Sequence, residues 1–109
     1  MDSNGANGEG VNGGRLEIRP DDHAALVDGR PLTLTVRELQ LLTELARNPE
    51  RVMTREELYA RVWKRAYAKA DRSVDVYVGR LRTKLGDALP GSRFIHTHTG
   101  IGYRFDPEG

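Results

Sequence analysis

The chain has 109 residues, of which 38% are hydrophobic and 30% charged, and these values are typical of one small globular domain with a single core. It contains no cysteine, which excludes a disulfide framework and thiolate metal sites. Its apolar runs are too short to span a bilayer, and the N-terminus lacks the basic start and apolar stretch of a secretory signal. We therefore expect a cytoplasmic protein without a membrane partner.

The net charge of +1 hides an uneven distribution along the chain. Residues 55–84 hold nine basic and four acidic side chains, whereas residues 1–54 hold six basic and nine acidic ones. A concentrated basic block favours a polyanionic partner. A solvated helical surface would have the same composition, so charge alone is weak support for nucleic-acid binding.

The first fourteen residues are dominated by glycine, asparagine and other polar residues. This composition predicts a disordered linker or tail over residues 1–14 and a folded domain over residues 15–107. Alternation of apolar and polar residues then predicts a small antiparallel sheet. Its three strands would carry Leu16 and Ile18, Ala25 and Val27, and Leu32 and Leu34. Asp28-Gly29 between the last two strands is a hairpin signal.

Two capping boxes predict where the first two helices begin. Residues 35–38 and 54–57 both have the Thr-x-x-Glu spacing, in which each side chain bonds the backbone N–H of the other residue. The first helix is expected to end at Asn48 and the second near Trp63. Residues 64–70 would follow as a basic connecting loop or as a further helical turn.

Residues 71–86 are the predicted third helix, with Asp71 as its N-cap and Gly86 as its C-terminal stop. Four apolar residues at intervals of four, three and four form one narrow stripe, namely Val74, Val78, Leu81 and Leu85. Arginines and small residues occupy the opposite side, which is typical of a helix that enters a groove of DNA. We expect an ion pair between Asp75 and Arg82 on the side of this helix.

Residues 93–106 predict a C-terminal β-hairpin. His96 and His98 share one strand face at a spacing that a metal site can use, but the sequence offers no third ligand. Gly100 and Gly102 follow a strand without opening a helix, so they are not a nucleotide-binding fingerprint. We therefore expect no metal, no cofactor, no catalytic residues and no enzymatic activity.

Taken together and in this order, several motifs resemble the effector domain of OmpR/PhoB-type bacterial response regulators. They lie in residues 34–42, 48–58, 62–63, 71–82 and 100–105. The most specific are Asp-Arg-Ser-Val-Asp-Val-Tyr-Val with Arg-Leu-Arg, similar to the recognition helix of the family, and Gly-Ile-Gly-Tyr-Arg-Phe, similar to its wing. The resemblance covers the chain from Leu16 to Phe105. It implies an α+β winged helix-turn-helix, with an N-terminal antiparallel sheet of four strands, three helices and a C-terminal hairpin wing.

The resemblance also implies a set of DNA contacts. The residues it implies are Arg72, Arg82 and Trp63 at phosphates, and Ser73, Val76 and Arg80 at bases. Thr83, Thr99 and Tyr103 are expected elsewhere in the interface from their positions, Tyr103 through its hydroxyl, with packing inside the hairpin as its alternative role. Gly79 stands where relatives often carry a basic residue, and Thr99 stands where the wing commonly carries an arginine. One phosphate anchor is therefore expected to be missing, and insertion of the wing into the minor groove stays open, with His98 or the hairpin backbone as the substitute contact.

The implied function is sequence-specific binding of double-stranded DNA for transcription regulation, as the C-terminal output domain of a two-component response regulator. The third helix (71–86) would lie in the major groove and the wing (93–106) near the minor groove. Implied partners are direct-repeat half-sites bound head-to-tail by a domain that is monomeric in isolation, a receiver domain upstream, and RNA polymerase at the 64–70 loop. The alternative is a winged-helix module for protein–protein interaction, whose basic face would meet an acidic partner.

Overall fold

The computed structural model describes residues 11–13, 15–68 and 71–109. Its strands are β1 (Val11–Gly13), β2 (Leu16–Arg19), β3 (Ala24–Val27), β4 (Arg30–Pro31), β5 (Val52–Thr54), β6 (Ile95–His98) and β7 (Gly102–Phe105). Its helices are α1 (Val36–Ala46), α2 (Arg55–Trp63) and α3 (Ser73–Ala88). Among the described residues, no helix is both long enough and apolar enough to cross a membrane. The predicted α+β class and element order are confirmed.

The first four strands form one antiparallel sheet in the order β1-β2-β3-β4. Asp28 and Gly29 both have positive φ between β3 and β4, as a type I′ hairpin turn requires, so the predicted turn is confirmed. The predicted third strand lies earlier than expected, since β4 covers Arg30–Pro31, and beyond it the Leu32 N–H donates to the Ala25 carbonyl of β3 at 2.8 Å. Leu32 and Leu34 pack, half-buried, against the core.

Strand β1 lies inside the segment that the sequence predicts to be disordered. Its backbone pairs with β2, from Val11 opposite Ile18 to Gly13 opposite Leu16, so folded structure begins before residue 15. Backbone pairing needs no apolar side chain, and composition therefore carried no signal for this strand. Residues 1–10 and 14, the rest of the predicted tail, lie outside the described residues.

A second sheet has three strands in the order β5-β7-β6 and forms the wing. Strands β6 and β7 are the hairpin predicted over residues 93–106. Strand β5, which the sequence analysis did not identify, precedes α2 and pairs antiparallel with β7. Thr54 both ends β5 and caps α2, so the wing and the second helix are fixed to each other at this residue.

Both predicted capping boxes are present. The hydroxyl of Thr35 accepts the Glu38 N–H at 3.2 Å, and the Glu38 carboxylate accepts the Thr35 N–H at 2.8 Å. Thr54 and Glu57 make the same reciprocal pair at 3.1 and 3.0 Å. Helix α2 ends at Trp63 because the next residue, Lys64, adopts the left-handed conformation, so the chain does not continue as a further helical turn.

The ends of α3 differ from the predicted 71–86. Asp71 is not the N-cap residue, since the helix begins at Ser73 with Arg72 at the cap, but the Asp71 carboxylate still accepts the Ser73 N–H at 2.8 Å. Gly86 does not stop the helix, which continues to Ala88. The reason is the following residue, Leu89, which is buried in the core and donates its N–H to the carbonyl of the preceding turn.

One hydrophobic core lies between the helices and the two sheets, and the predicted stripe of α3 belongs to it. Val74, Val78, Leu81 and Leu85 are each at most 3% exposed. The buried charge of this core is Glu38, whose carboxylate accepts from Lys84 Nζ at 2.6 Å and so ties α1 to α3. Burial alone would raise the pKa of Glu38, but the hydrogen bonds from Lys84 and Thr35 outweigh it and hold that pKa below its usual value.

Candidate nucleic-acid interface

The side of α3 opposite the buried stripe carries side chains that are accessible to a partner. Its exposed or half-buried members are Arg72, Ser73, Val76, Gly79, Arg80 and Thr83. Val76 is 47% exposed, so its side chain is accessible to a partner. The Thr83 hydroxyl donates to the Gly79 carbonyl at 3.1 Å, so its free capacity is that of an acceptor. This face brings together most of the predicted contact residues on one helix.

The guanidinium of Arg80 lies over an aromatic ring of the same helix. Its Cζ is 4.8 Å from the centre of the Tyr77 ring, at the i, i+3 spacing that places two helical side chains side by side. Tyr77 is half-buried and packs against the core. Tyr77 is not among the contact residues predicted from the sequence, and its i, i+3 spacing from Arg80 is the signal that the sequence offers.

Trp63, at the end of α2, lies within a cluster of aromatic and arginine side chains. It stacks on Tyr59 with ring centres 5.2 Å apart and meets the Tyr77 ring edge-on at 5.5 Å. Arg37 of α1 places its guanidinium 4.9 Å from the Trp63 ring and donates to the Val62 carbonyl at 3.1 Å. Trp63 is half-buried, so its packing role is established by these contacts, and the expected phosphate contact stays a prediction.

Arg82 connects α3 to the wing. Two of its nitrogens, Nε and Nη2, lie 3.2 and 2.9 Å from the Ile95 carbonyl, and Nη2 also donates to Thr97 Oγ1 at 2.6 Å. The prediction of an ion pair between Asp75 and Arg82 is wrong. Arg82 donates to β6, whereas Asp75 accepts hydrogen bonds from α2 and β7. The predicted phosphate contact of Arg82 would have to be made by a guanidinium that already donates to β6.

Asp75 joins three elements beneath the exposed face of α3. Its carboxylate accepts from Arg55 Nε of α2 at 2.8 Å and from the Tyr103 hydroxyl of β7. Burial would raise the pKa of Asp75, but these two hydrogen bonds outweigh it and the pKa is lowered. Burial, together with the neighbouring Asp75, raises the pKa of Tyr103.

Tyr103 was expected at the DNA, and the structure places it elsewhere. Its side chain is 5% exposed, and its hydroxyl is already donated to Asp75. It therefore serves as a link between the wing and α3. Local sequence could not show this, because Asp75 lies 28 positions earlier in the chain.

The wing turn exposes small and apolar side chains. Thr99 is exposed and Ile101 is 56% exposed, while Gly100 supplies the positive φ of the turn. His98, considered as a substitute contact, is half-buried and accepts a hydrogen bond from Arg104 Nε at 3.1 Å. His96 Nε2 lies 3.5 Å from Asp106 Oδ2. Among the described residues, no group of three or more potential ligands is arranged to hold a metal ion.

Gly79 and Gly86 are both interior residues of α3, and a Cβ at either position would meet nothing within 4 Å. We expect Gly79→Ala and Gly86→Ala each to raise the free energy of unfolding by about 0.5–1 kcal/mol, because alanine restricts the unfolded chain and suits a helix. Urea denaturation followed by circular dichroism measures this. Loss of stability in Gly79→Ala alone would show that α3 departs from helical geometry at that residue.

Comparison with known proteins gives matches over most of the described chain. Residues 29–105 match the family described as "Transcriptional regulatory protein, C terminal". The chain is 42% identical over 94 residues to the transcriptional regulatory protein AfsQ1 of Streptomyces coelicolor, covering 86% of this chain and 42% of that protein. It is 39% identical over 90 residues to the transcriptional regulatory protein YcbL of Bacillus subtilis, covering 83% and 40%. The chain thus spans less than half the length of these curated relatives.

Solved structures show the same fold. The DNA-binding domain of RstA from Klebsiella pneumoniae, in complex with the RstA box, has a TM-score of 0.82 at 32% identity, covering 91% of this chain and 98% of that one. The DNA-binding domain of CpxR from E. coli has a TM-score of 0.81 at 31% identity, covering 89% and 95%. Both similarities extend over nearly the whole of the compared domains.

Proposed function

Because the chain belongs to the family of C-terminal domains of transcriptional regulatory proteins, we propose that it reads double-stranded DNA with α3 in the major groove. The observation that supports this proposal most directly is that α3 has a buried apolar stripe on one side and an exposed face of arginines and small residues on the other. The helix is thereby held by the core on one side and free to enter a groove on the other. DNA binding in transcription regulation is the function of this family; the residue assignments that follow are proposals.

Within this proposal, Arg80 reads a base edge. A guanidinium presents two parallel N–H groups that fit the O6 and N7 acceptors of guanine. Ser73 and Val76 lie on the same face toward the N-terminal end of α3, and Val76 suits a thymine methyl. Arg72, exposed at the helix cap, would contact phosphate and fix the register of the helix on the duplex.

Thr83 and Thr99 extend the proposed interface at its edges. Thr83 follows Arg80 by one turn on the exposed face of α3, and Thr99 lies at the tip of the wing. We assign the wing to the backbone bordering the minor groove, because its exposed tip carries no arginine. Tyr103 is left out of the interface, since its hydroxyl is donated to Asp75 inside the domain.

We further propose that the domain is the output part of a longer two-component response regulator, which is cytoplasmic and binds direct-repeat half-sites head-to-tail. The match to less than half of each curated relative supports a longer protein. In selected DNA sites, this arrangement predicts two equally oriented half-sites about one helical turn apart. RNA polymerase contact would involve Lys64 and Arg65, exposed after α2.

The test begins with selection of bound sites from random duplexes by the 109-residue chain. Arg80→Ala is expected to weaken binding to the selected duplex about 10-fold or more, because a base contact of this type contributes about 1–3 kcal/mol. Binding to a scrambled duplex should change much less. Fluorescence anisotropy titrations over a range of salt concentrations measure both.

The matched control is Arg30→Ala, which also removes one positive charge. Arg30 lies in β4 and lines a surface pocket with Asp87 and Ala88 of the last turn of α3, and none of the proposed reading residues lines that pocket. Its loss should leave both duplexes bound as by the wild type. If wild type and Arg80→Ala bind equally weakly and no sequence is selected, the proposal fails and the protein-interaction alternative is favoured.

A further inference from the structure

The exposed face of α3 contains an arginine that is already positioned by an aromatic neighbour. Within residues 15–68 and 71–109, the Arg80 guanidinium lies over the Tyr77 ring and has no carboxylate at salt-bridge distance. The two residues are one helical turn apart. The guanidinium carries five N–H donors and lies over the face of the ring, so this contact leaves donors available for hydrogen bonds.

The Tyr77 ring is itself in contact with an aromatic side chain of α2. Trp63 packs edge-on against it with ring centres 5.5 Å apart and an interplanar angle of 83°. Trp63 in turn stacks on Tyr59, which is 2% exposed, and Arg37 lies over the Trp63 ring. A continuous set of contacts therefore connects the position of Arg80 to α1 and α2.

Holding an arginine in place affects DNA binding because a free arginine side chain populates many rotamers and loses that entropy when it is fixed. A side chain restrained before binding loses less of that entropy when it pairs with a base. Gly79, next to Arg80, offers no side chain that could supply the restraint. The contact that restrains Arg80 is the one with the Tyr77 ring.

We propose that Tyr77 is a positioning residue for base reading, whose ring holds the Arg80 guanidinium in the orientation that meets a base edge. The proposal rests on the proposed function of α3 and assigns to Tyr77 a part of its specificity. Tyr77 acts through Arg80, so its replacement should matter only while Arg80 is present.

The first experiment uses the free protein and no DNA. In the wild type, the Arg80 side-chain protons are expected to show upfield NMR shifts from the ring current of Tyr77. Tyr77→Phe should keep these shifts and Tyr77→Leu should abolish them. Arg80 protons at ordinary random-coil positions in the wild type would overturn the proposal, whatever the DNA measurements show.

The second experiment is a double-mutant cycle on the duplex selected by the wild type. Tyr77→Leu is expected to weaken binding about three- to tenfold, because an unrestrained Arg80 loses more rotamer entropy on binding, and to leave scrambled-duplex binding unchanged. In the Arg80→Ala background, the same change should alter affinity less than about twofold. Tyr77→Phe should stay within about twofold of wild type, which separates the ring from its hydroxyl.

The outcomes distinguish this inference from the proposed function. An equal loss of affinity on Tyr77→Leu with and without Arg80 overturns the positioning role but leaves DNA reading by α3 intact. Failure of the wild type to select any sequence overturns the proposed function, and with it the role of Tyr77 in specificity. Thermal melts of each variant show that the compared proteins are folded.

Discussion

Replacing Gly102 with alanine is expected to destabilise the domain by about 3 kcal/mol, the largest effect that we predict for a single methyl group. A Cβ at this position would lie 1.9 Å from the Met53 carbonyl oxygen and 2.9 Å from Thr54 Cα. Both neighbours are backbone atoms of β5, so neither can rotate away. Relief requires β5 to separate from β7, and overpacking of this kind typically costs 1–3 kcal/mol or more.

Thermal unfolding followed by circular dichroism measures the effect. A loss of about 3 kcal/mol should lower the Tm by roughly 12–24 °C in a domain of this size. Gly79→Ala is the matched control, because it adds the same methyl group where nothing lies within 4 Å. A Gly102→Ala protein that melts within about 3 °C of wild type would show that the wing sheet tolerates separation of β5.

Replacing Asp75 with alanine is expected to lower the free energy of unfolding by about 2 kcal/mol, which is the second large effect that we predict. The change leaves the Arg55 guanidinium and the Tyr103 hydroxyl without the carboxylate that both bond. Removing one partner from a fully buried ion pair costs 3–5 kcal/mol. We expect less here because the side chains of Asp75 and Arg55 are 28% and 24% exposed. Urea denaturation at pH 7 gives the value.

The same variant should change how stability depends on pH. The pKa of Asp75 is lower in the folded than in the unfolded protein, so its contribution is complete at neutral pH and is lost as pH falls through the folded pKa. The difference in free energy of unfolding between wild type and Asp75→Ala should therefore be constant from neutral pH down to about pH 5 and shrink below it. Asp87→Ala, at an exposed position in the last turn of α3, is the control and should remove no stability. If the difference in free energy of unfolding between wild type and Asp75→Ala did not change with pH, this would contradict a stabilising role for the Asp75 charge.

Much of the fold could be predicted because its signals are local. The capping boxes at Thr35 and Thr54 determine two helix starts through contacts that span three residues. The four-three-four spacing identified the buried face of α3, and Asp28-Gly29 identified a type I′ turn. Each of these signals depends on neighbours within one or two turns of chain.

Most of the α3 residues that the sequence predicts for the interface lie exposed or half-buried on one face of the helix, but the sequence did not predict the contacts that hold them. Arg80 and Val76 are exposed as the helical spacing predicts. The aromatic support of Arg80 extends from Tyr77 to Trp63 on another helix, and helical spacing indicates only its first member. Gly86 predicts a helix end because glycine commonly follows one, but α3 continues past it to Ala88 because Leu89 is buried in the core.

The sequence by itself determined the starts of the first two helices, the buried stripe of α3 and the hairpin of the wing, since these follow from spacing and turn chemistry. Only the tertiary structure decided that β5 joins the wing, that a Cβ at Gly102 cannot be accommodated, and that Tyr103 bonds Asp75 instead of facing outward. These contacts join residues 28 to 52 positions apart, and no periodicity along the chain encodes them. The chemistry of the exposed face was therefore visible in the sequence, whereas its support depends on how the helices and the wing pack together.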